Sequence, residues 1–312
     1  MSRAMSALVI GYGSIGARHA RLLQALGCAT GVVSARSIDF PNVFPRIDSA
    51  LALWQPEYVV IANATCQHLD TLRSLATLGY AGRVLVEKPL FGGVAPPPDQ
   101  QFERLAVAYN LRFHPAIDRL RKLLDGEKVL SVQCYVGQYL PNWRPGADYR
   151  LSYSSHAAQG GGVLRDLSHE LDYLQFIFGE WLRVSAIGGH FSHLEGDSDD
   201  IFGLMMSCTS CPLVQVQLNY MDRVGRRSIL VNTDSHTIVA DLVANTLTVD
   251  ACEEFISIER DFTYQAMHRA MLDDERADVR LCSLSEGMDT MRLITAAEAA
   301  SHSSQWQLNR NL

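Results

Sequence analysis

The sequence predicts an α/β protein of two domains: a doubly wound parallel sheet over the first third, then an α+β domain with a large open, mostly antiparallel sheet. Three observations predict it. Short β-rich runs alternate with amphipathic helical stretches over the first ninety residues, the sequence mark of a parallel sheet wrapped by helices. Beyond residue 124 the pattern changes to longer strands at hairpin spacing. The length of 312 residues fits two domains of roughly 150 residues each.

The elements follow in order. Residues 7–10 form a first strand and 14–26 a helix, closed by Gly27 in the C-cap position. A second strand spans 31–34, and a short helix at 47–55 is stopped by Pro56. The third strand, 58–62, is apolar throughout, as a strand covered on both faces must be. A helix at 66–78 ends at Gly79, and a fourth strand at 84–86 delivers Glu87, Lys88 and Pro89 to its C-terminal end. The stretch 92–98 holds three consecutive prolines, so no helix runs through it. A fifth strand at 105–109 and a helix at 115–124 flank the boundary, giving domains 1–112 and 113–312. Strands near 129–136, 184–191, 202–208, 213–220, 228–231 and 237–243 make the second sheet, with one strong helix at 163–178 and a tail helix at 285–300.

Composition excludes several function classes. The net charge of −7 repels nucleic acid and anionic membrane surfaces at long range, so neither is an expected partner. No stretch approaches the roughly 18 apolar residues of a membrane span, and the start lacks a secretory signal, so the expected location is cytoplasmic. The seven cysteines are odd in number and scattered through apolar segments, where Cys behaves as a small hydrophobe. Cys208 and Cys211 form a C-x-x-C with no second pair or nearby histidine, which points to hairpin packing rather than zinc. Asp197, Asp199 and Asp200 read as a solvated turn, and no metal is expected.

The first strand opens directly onto Gly11, Tyr12, Gly13, Ser14, Ile15 and Gly16, a G-x-G-x-x-G at the head of a helix. The first glycine permits the tight turn, the second lets backbone approach a pyrophosphate, and the third lets helix and strand pack closely. Phosphates then rest on the free N–H groups and positive dipole end of the helix. This is the Rossmann pattern, so the first domain is expected to bind NADP or NAD. At the end of the second strand, where a carboxylate would accept the ribose 2′-OH of NAD, stand Ser34, Ala35, Arg36 and Ser37. Hydroxyls and a guanidinium suit a 2′-phosphate, so NADP is the preferred cofactor. Arg36 as a solvated residue stacking on adenine is the alternative. Asn63 and Ala64 after the third strand, with Glu87 and Lys88 after the fourth, complete the expected cofactor edge.

Lys88 follows a buried strand where ligands bind in open α/β sheets; partly desolvated, it can hydrogen-bond a substrate oxygen. On the helix over 163–178, at about 100° per residue, Leu164, Leu167, Leu171, Leu174 and Phe178 form an apolar stripe. Asp166, His169, Glu170 and Tyr173 form an adjoining polar one. A carboxylate sharing a face with an imidazole orients it for proton transfer near neutral pH. Arg112, His114, Tyr139, Tyr149 and Arg150 could line a pocket for a hydroxylated or anionic substrate, where Arg grips carboxylate or phosphate with two bonds.

Together, GYGSIGARH over 11–19, EKP at 87–89 and GGGVLRDLSHELD over 160–172 resemble the Gfo/Idh/MocA oxidoreductases, in order along nearly the whole chain. The resemblance implies hydride transfer between nicotinamide and a carbinol or carbonyl carbon of a sugar, sugar nucleotide or polyol, with Lys88, Asp166 and His169 as catalytic residues. YNLRFHP over 109–115 with Tyr149 and Arg150 looks like a branch associated with bacterial surface-sugar pathways. His68 resembles the family's nicotinamide-side histidine. Relatives that oxidise, eliminate and re-reduce glycosides with bound NAD supply an alternative reaction, and a non-catalytic dinucleotide-sensing subunit is another. The family also implies a homodimer or homotetramer joined through the open sheet. Two departures stand out. The family places its histidine four residues after the aspartate; here the interval is three, and Glu170 occupies the usual place, so either His169 or Glu170 transfers the proton. The stretch 91–102 is shorter than the family's helix there.

Overall fold

The structure is a computed structural model and describes residues 4–274 and 278–309. The chain divides into two compact units: residues 1–113 with 261–288, and residues 114–260 with 289–312.

In the first unit the parallel strands are β1 (Ser6–Ile10), β2 (Ala29–Val33), β3 (Val43–Phe44), β4 (Tyr58–Ile61), β5 (Arg83–Val86) and β6 (Arg104–Val107). Their order is β3-β2-β1-β4-β5-β6, with Cys282–Ser283 added antiparallel at the β6 edge. Every residue of β1, β4 and β5 is buried, because helices cover both faces of a doubly wound sheet. The helices are α1 (Ser14–Ala25), α2 (Ile47–Trp54) and α3 (His68–Thr77). The strand order reverses between β1 and β4, which places the crevice for a ligand at the C-terminal ends of those strands. The proline-rich stretch after residue 91 carries no helix, as expected.

The second unit holds α4 (Pro115–Leu123), β7 (Val129–Gly137), α5 (Val163–Asp166), α6 (His169–Phe178), β8 (Trp181–Gly189), β9 (Ile201–Cys208), β10 (Cys211–Asn219), β11 (Arg226–Thr233), β12 (Thr237–Asp241), β13 (Thr246–Val249) and β14 (Cys252–Phe255). They form an open sheet in the order β14-β13-β12-β11-β7-β10-β9-β8, closed at the β8 edge by Gln307–Leu308. The β7–β10 pairing is parallel and the others are antiparallel. Burial alternates along β8, with Val184 and Ala186 inward and Ile187 outward, as a sheet with one covered face requires.

Two expectations are corrected. The single helix over 163–178 is two helices, α5 and α6, parted at Leu167 and Ser168; Leu167 leaves the helical region at φ −101°, ψ 28°. The amides of Val163 and Leu164 that open α5 donate to the Asp199 carbonyl and carboxylate. Gly162, at φ +116°, stands where a Cβ would strike that carboxylate. The second correction concerns the domain division at 112/113. Residues 261–288 return to the first unit, carrying α7 (Phe262–Leu272) and the start of α8 (Leu284–Ser303). Met267, Ala270 and Met271 join the core of the first sheet, and Arg83 donates to the carbonyls of Met271 and Leu272.

Candidate active site

Gly11 has φ +96°, and a Cβ there would lie 2.7 Å from the backbone of Asn63, so the turn admits glycine alone. Gly16 packs equally close: a Cβ would fall 2.1 Å from the Gly11 carbonyl oxygen. At Gly13 the result is opposite, since a Cβ would meet nothing within 4 Å. Gly13 is the N-cap of α1 and gives it no side-chain cap, so the first amides of that helix need an acceptor from elsewhere. The Asn63 Nδ2 donates to Thr71 Oγ1, while its Oδ1 is buried with no partner among the described residues. An open cradle on an uncapped helix fits a dinucleotide pyrophosphate, whereas the Asn63 amide oxygen, which only accepts, suits a hydroxyl or amide donor of such a ligand.

Around the cradle, Ser14 and Ala64 are exposed and Ile15 half-buried, and the Tyr12 ring leans on Phe40. Arg36 and Ser37 are exposed at the end of β2. The Arg36 guanidinium donates to the Tyr12 carbonyl at 2.6 Å, and its amide donates to Ser34 Oγ, so the basic residue is tied to the glycine turn.

Lys88 is half-buried directly after β5. Its neighbour Glu87 points into the core and is 6% exposed. The Glu87 Oε2 accepts the Lys88 amide at 3.1 Å and its Oε1 meets His19 Nε2 at 2.7 Å. His68, expected on the nicotinamide side, is enclosed by backbone carbonyls. It is 1% exposed, with Nδ1 near the carbonyls of Pro89 and Leu90 and Nε2 near the carbonyl of Asn63. It clamps the turn after Lys88, and burial lowers its pKa.

In the second unit Asp166 accepts two hydroxyls, Tyr153 on Oδ1 at 2.8 Å and Tyr220 on Oδ2 at 2.7 Å. Burial and the adjacent carboxylate push both tyrosines well above their ordinary range, so they remain donors. His169 opens α6, nearly buried. The polar stripe lies inside: Asp166, His169, Glu170 and Tyr173 are all buried. Glu170 is fully buried and pairs with Arg227 at 2.8 Å, and desolvation raises its carboxyl pKa. It belongs to the core rather than to a substrate surface.

The other expected substrate residues divide similarly. Arg112 is 1% exposed and ion-paired with Glu286 at 2.8 Å, which fastens the end of the first unit. His114 caps α4 by accepting the Ala116 amide. Arg150 is exposed but engaged by Asp148 in a two-pronged pair and by Glu195. Tyr149 lines a recess with Trp143, Arg144 and Ser152, and its hydroxyl accepts the Glu195 amide. The acidic turn is solvated only in part: Asp197 is exposed, Asp199 half-buried and Asp200 buried, and the last two accept backbone amides. Cys208 and Cys211 face each other across the β9–β10 hairpin, both buried. No cluster of metal-ligating side chains occurs among the described residues, and no described helix is long and apolar enough to cross a membrane.

Residues 117–239 match the family model for the GFO/IDH/MocA C-terminal domain. The match identifies a domain of that type in the second unit. Levoglucosan dehydrogenase of Pseudarthrobacter phenanthrenivorans is 24% identical over 163 residues, 49% of this chain and 41% of that protein. The matched stretch therefore spans less than half of that relative. The likeness in fold covers both units: levoglucosan dehydrogenase in complex with NADH and levoglucosan superposes with a TM-score of 0.83, at 15% identity, over 99% of this chain and 100% of that one. GenD2 from gentamicin A biosynthesis, in complex with NAD, gives 0.81 at 19% identity over 99% and 97%.

Proposed function

We propose that this protein transfers a hydride between a nicotinamide dinucleotide and a carbinol or carbonyl carbon of a sugar, sugar nucleotide or related polyol. The observation that carries the proposal lies within the first unit: the open Gly13 cradle on the uncapped α1 and the half-buried Lys88 stand at the C-terminal ends of β1 and β5. The relatives named for NAD, NADH and levoglucosan complexes supply the chemical class. The nicotinamide, when bound, supplies the redox chemistry. Gly11 to Gly16 hold the diphosphate, Asn63 accepts a donor of the dinucleotide beside it, Lys88 Nζ hydrogen-bonds the reacting oxygen, and His169 takes or returns its proton. Asp166, fixed by two tyrosine hydroxyls, supports that site in the second unit. Glu170 is left out of the proton transfer, because its carboxyl is enclosed with Arg227.

Lys88→Met and His169→Asn should each cut turnover by roughly two orders of magnitude or more, with the dinucleotide Kd unchanged. Full turnover in both would end the assignment. Arg36, held against the glycine turn, favours NADP over NAD; equilibrium titration with both should give the tighter Kd for NADP, and a tighter NAD complex would reverse the preference. The uncovered sheet face, carrying Ile187 and Met205, suits a second copy of the chain, and a homodimer or homotetramer in the cytoplasm completes the proposal.

A further inference from the structure

A buried chain of four polar side chains runs through the first unit, and the proposed reaction does not use it directly. Glu87 Oε1 lies 2.7 Å from His19 Nε2, His19 Nδ1 2.8 Å from His268 Nε2, and His268 Nδ1 2.9 Å from the Tyr58 hydroxyl. His19, His268 and Tyr58 have no exposed surface, and Glu87 has 6%. The four come from α1, α7, β4 and the end of β5, and α7 reaches the site only because residues 261–288 fold back onto the first unit. The remaining carboxylate oxygen, Oε2, accepts the backbone amide of Lys88.

Donor and acceptor counting fixes the direction of this chain. A carboxylate only accepts, so His19 Nε2 donates; a neutral imidazole then has a bare Nδ1, which takes the proton of His268 Nε2. His268 Nδ1 is in turn bare and takes the Tyr58 hydroxyl proton. Every buried donor and acceptor is satisfied with both rings neutral. The reverse order would leave the Tyr58 hydroxyl hydrogen with no acceptor. Burial independently disfavours a charged His268 and an ionised Tyr58.

We propose that Tyr58, His268 and His19 form a one-way, all-neutral hydrogen-bond relay that fixes Glu87 and, through the Lys88 amide, positions Lys88. These are positioning residues, and the proposal rests on the assignment of Lys88 to the reacting oxygen. Aligned neutral dipoles let a buried carboxylate stay oriented without a cation beside it, which would compete with Lys88 for the same electrostatic environment.

The test combines the wild-type ring protons with turnover. In the full chain labelled with 15N-histidine, His19 and His268 should both show the neutral Nε2–H tautomer. An imidazolium at either position, or an Nδ1–H tautomer at His268, would overturn the relay, and this result is independent of whether any sugar is turned over. His268→Phe should lower kcat roughly ten-fold to a hundred-fold, as misplacement of a reacting group does, with the dinucleotide Kd within about two-fold. His268→Gln, which keeps a donor for His19 and an acceptor for Tyr58, should recover most of that loss. Tyr58→Phe removes only the terminal hydroxyl and should cost a few-fold in kcat. Equal kcat for wild type and His268→Phe, or no recovery in the glutamine variant, would contradict a positioning role.

Discussion

Each proposed reacting residue has a buried glutamate next to it in sequence, and the two glutamates are held in opposite ways. Beside Lys88, Glu87 receives a line of neutral donors ending at Tyr58. Beside His169, Glu170 is paired with the guanidinium of Arg227, while Tyr173 donates to it at 3.2 Å and Cys134 lies against Tyr173. The difference follows the charge of the neighbour. A second cation near Lys88 would compete for the substrate oxygen, whereas the Arg227 charge is matched by the Glu170 carboxylate it pairs with. An ion pair is also the more fragile solution when one partner is lost, because the other charge remains buried.

That contrast can be broken first at Arg227. Arg227→Met should destabilise the second unit by about 3 kcal/mol by stranding Glu170, and Glu170→Leu with Arg227→Met should recover most of it. Chemical denaturation of the three proteins would show it, and equal stability of the single and double variants would remove the ion pair from the account. His268→Phe should cost less, about 1–3 kcal/mol, since only neutral hydrogen bonds are lost.

A smaller effect appears with pH. Burial pushes His114 in the second unit down to about 4 from 6.5. The unfolded chain therefore takes up a proton near pH 6.5 that the folded chain refuses until about pH 4, and stability falls as pH drops through that window. Buried His268 and His68 in the first unit act in the same direction. Glu170 opposes them, because its raised pKa costs stability as pH rises out of the ordinary carboxylate range. His114→Asn keeps the cap on α4, as Asn is a good N-cap, and should flatten part of the acid slope by on the order of 1–2 kcal/mol. An unchanged slope would place the acid sensitivity elsewhere.

The parts of the molecule legible in the sequence are those set by local chemistry. β1, the glycine turn and α1 are contiguous, and the turn is dictated by backbone that only glycine can adopt. Lys88 at the end of an apolar strand is legible for the same reason. The two-helix break at Leu167 was not, nor was the cap that Asp199 sets on α5 from 35 residues away. Nor was the burial of Glu170, which depends on Arg227 in another strand. The relay joins Tyr58 to His268 across 210 positions, and no local pattern predicts such a contact. One signal was available: Thr263, Met267, Ala270 and Met271 lie at helical spacing and are buried, which marks an amphipathic helix in need of a partner face.

Hydride transfer itself is the most direct test of the account. With sugars carrying deuterium at single carbinol carbons and oxidised dinucleotide, the wild-type protein should move deuterium to nicotinamide from one position, read by mass spectrometry, and Lys88→Met should bind the dinucleotide equally but transfer none. Dinucleotide bound without any deuterium reaching it across a broad sugar panel, or equal transfer by wild type and Lys88→Met, would contradict it.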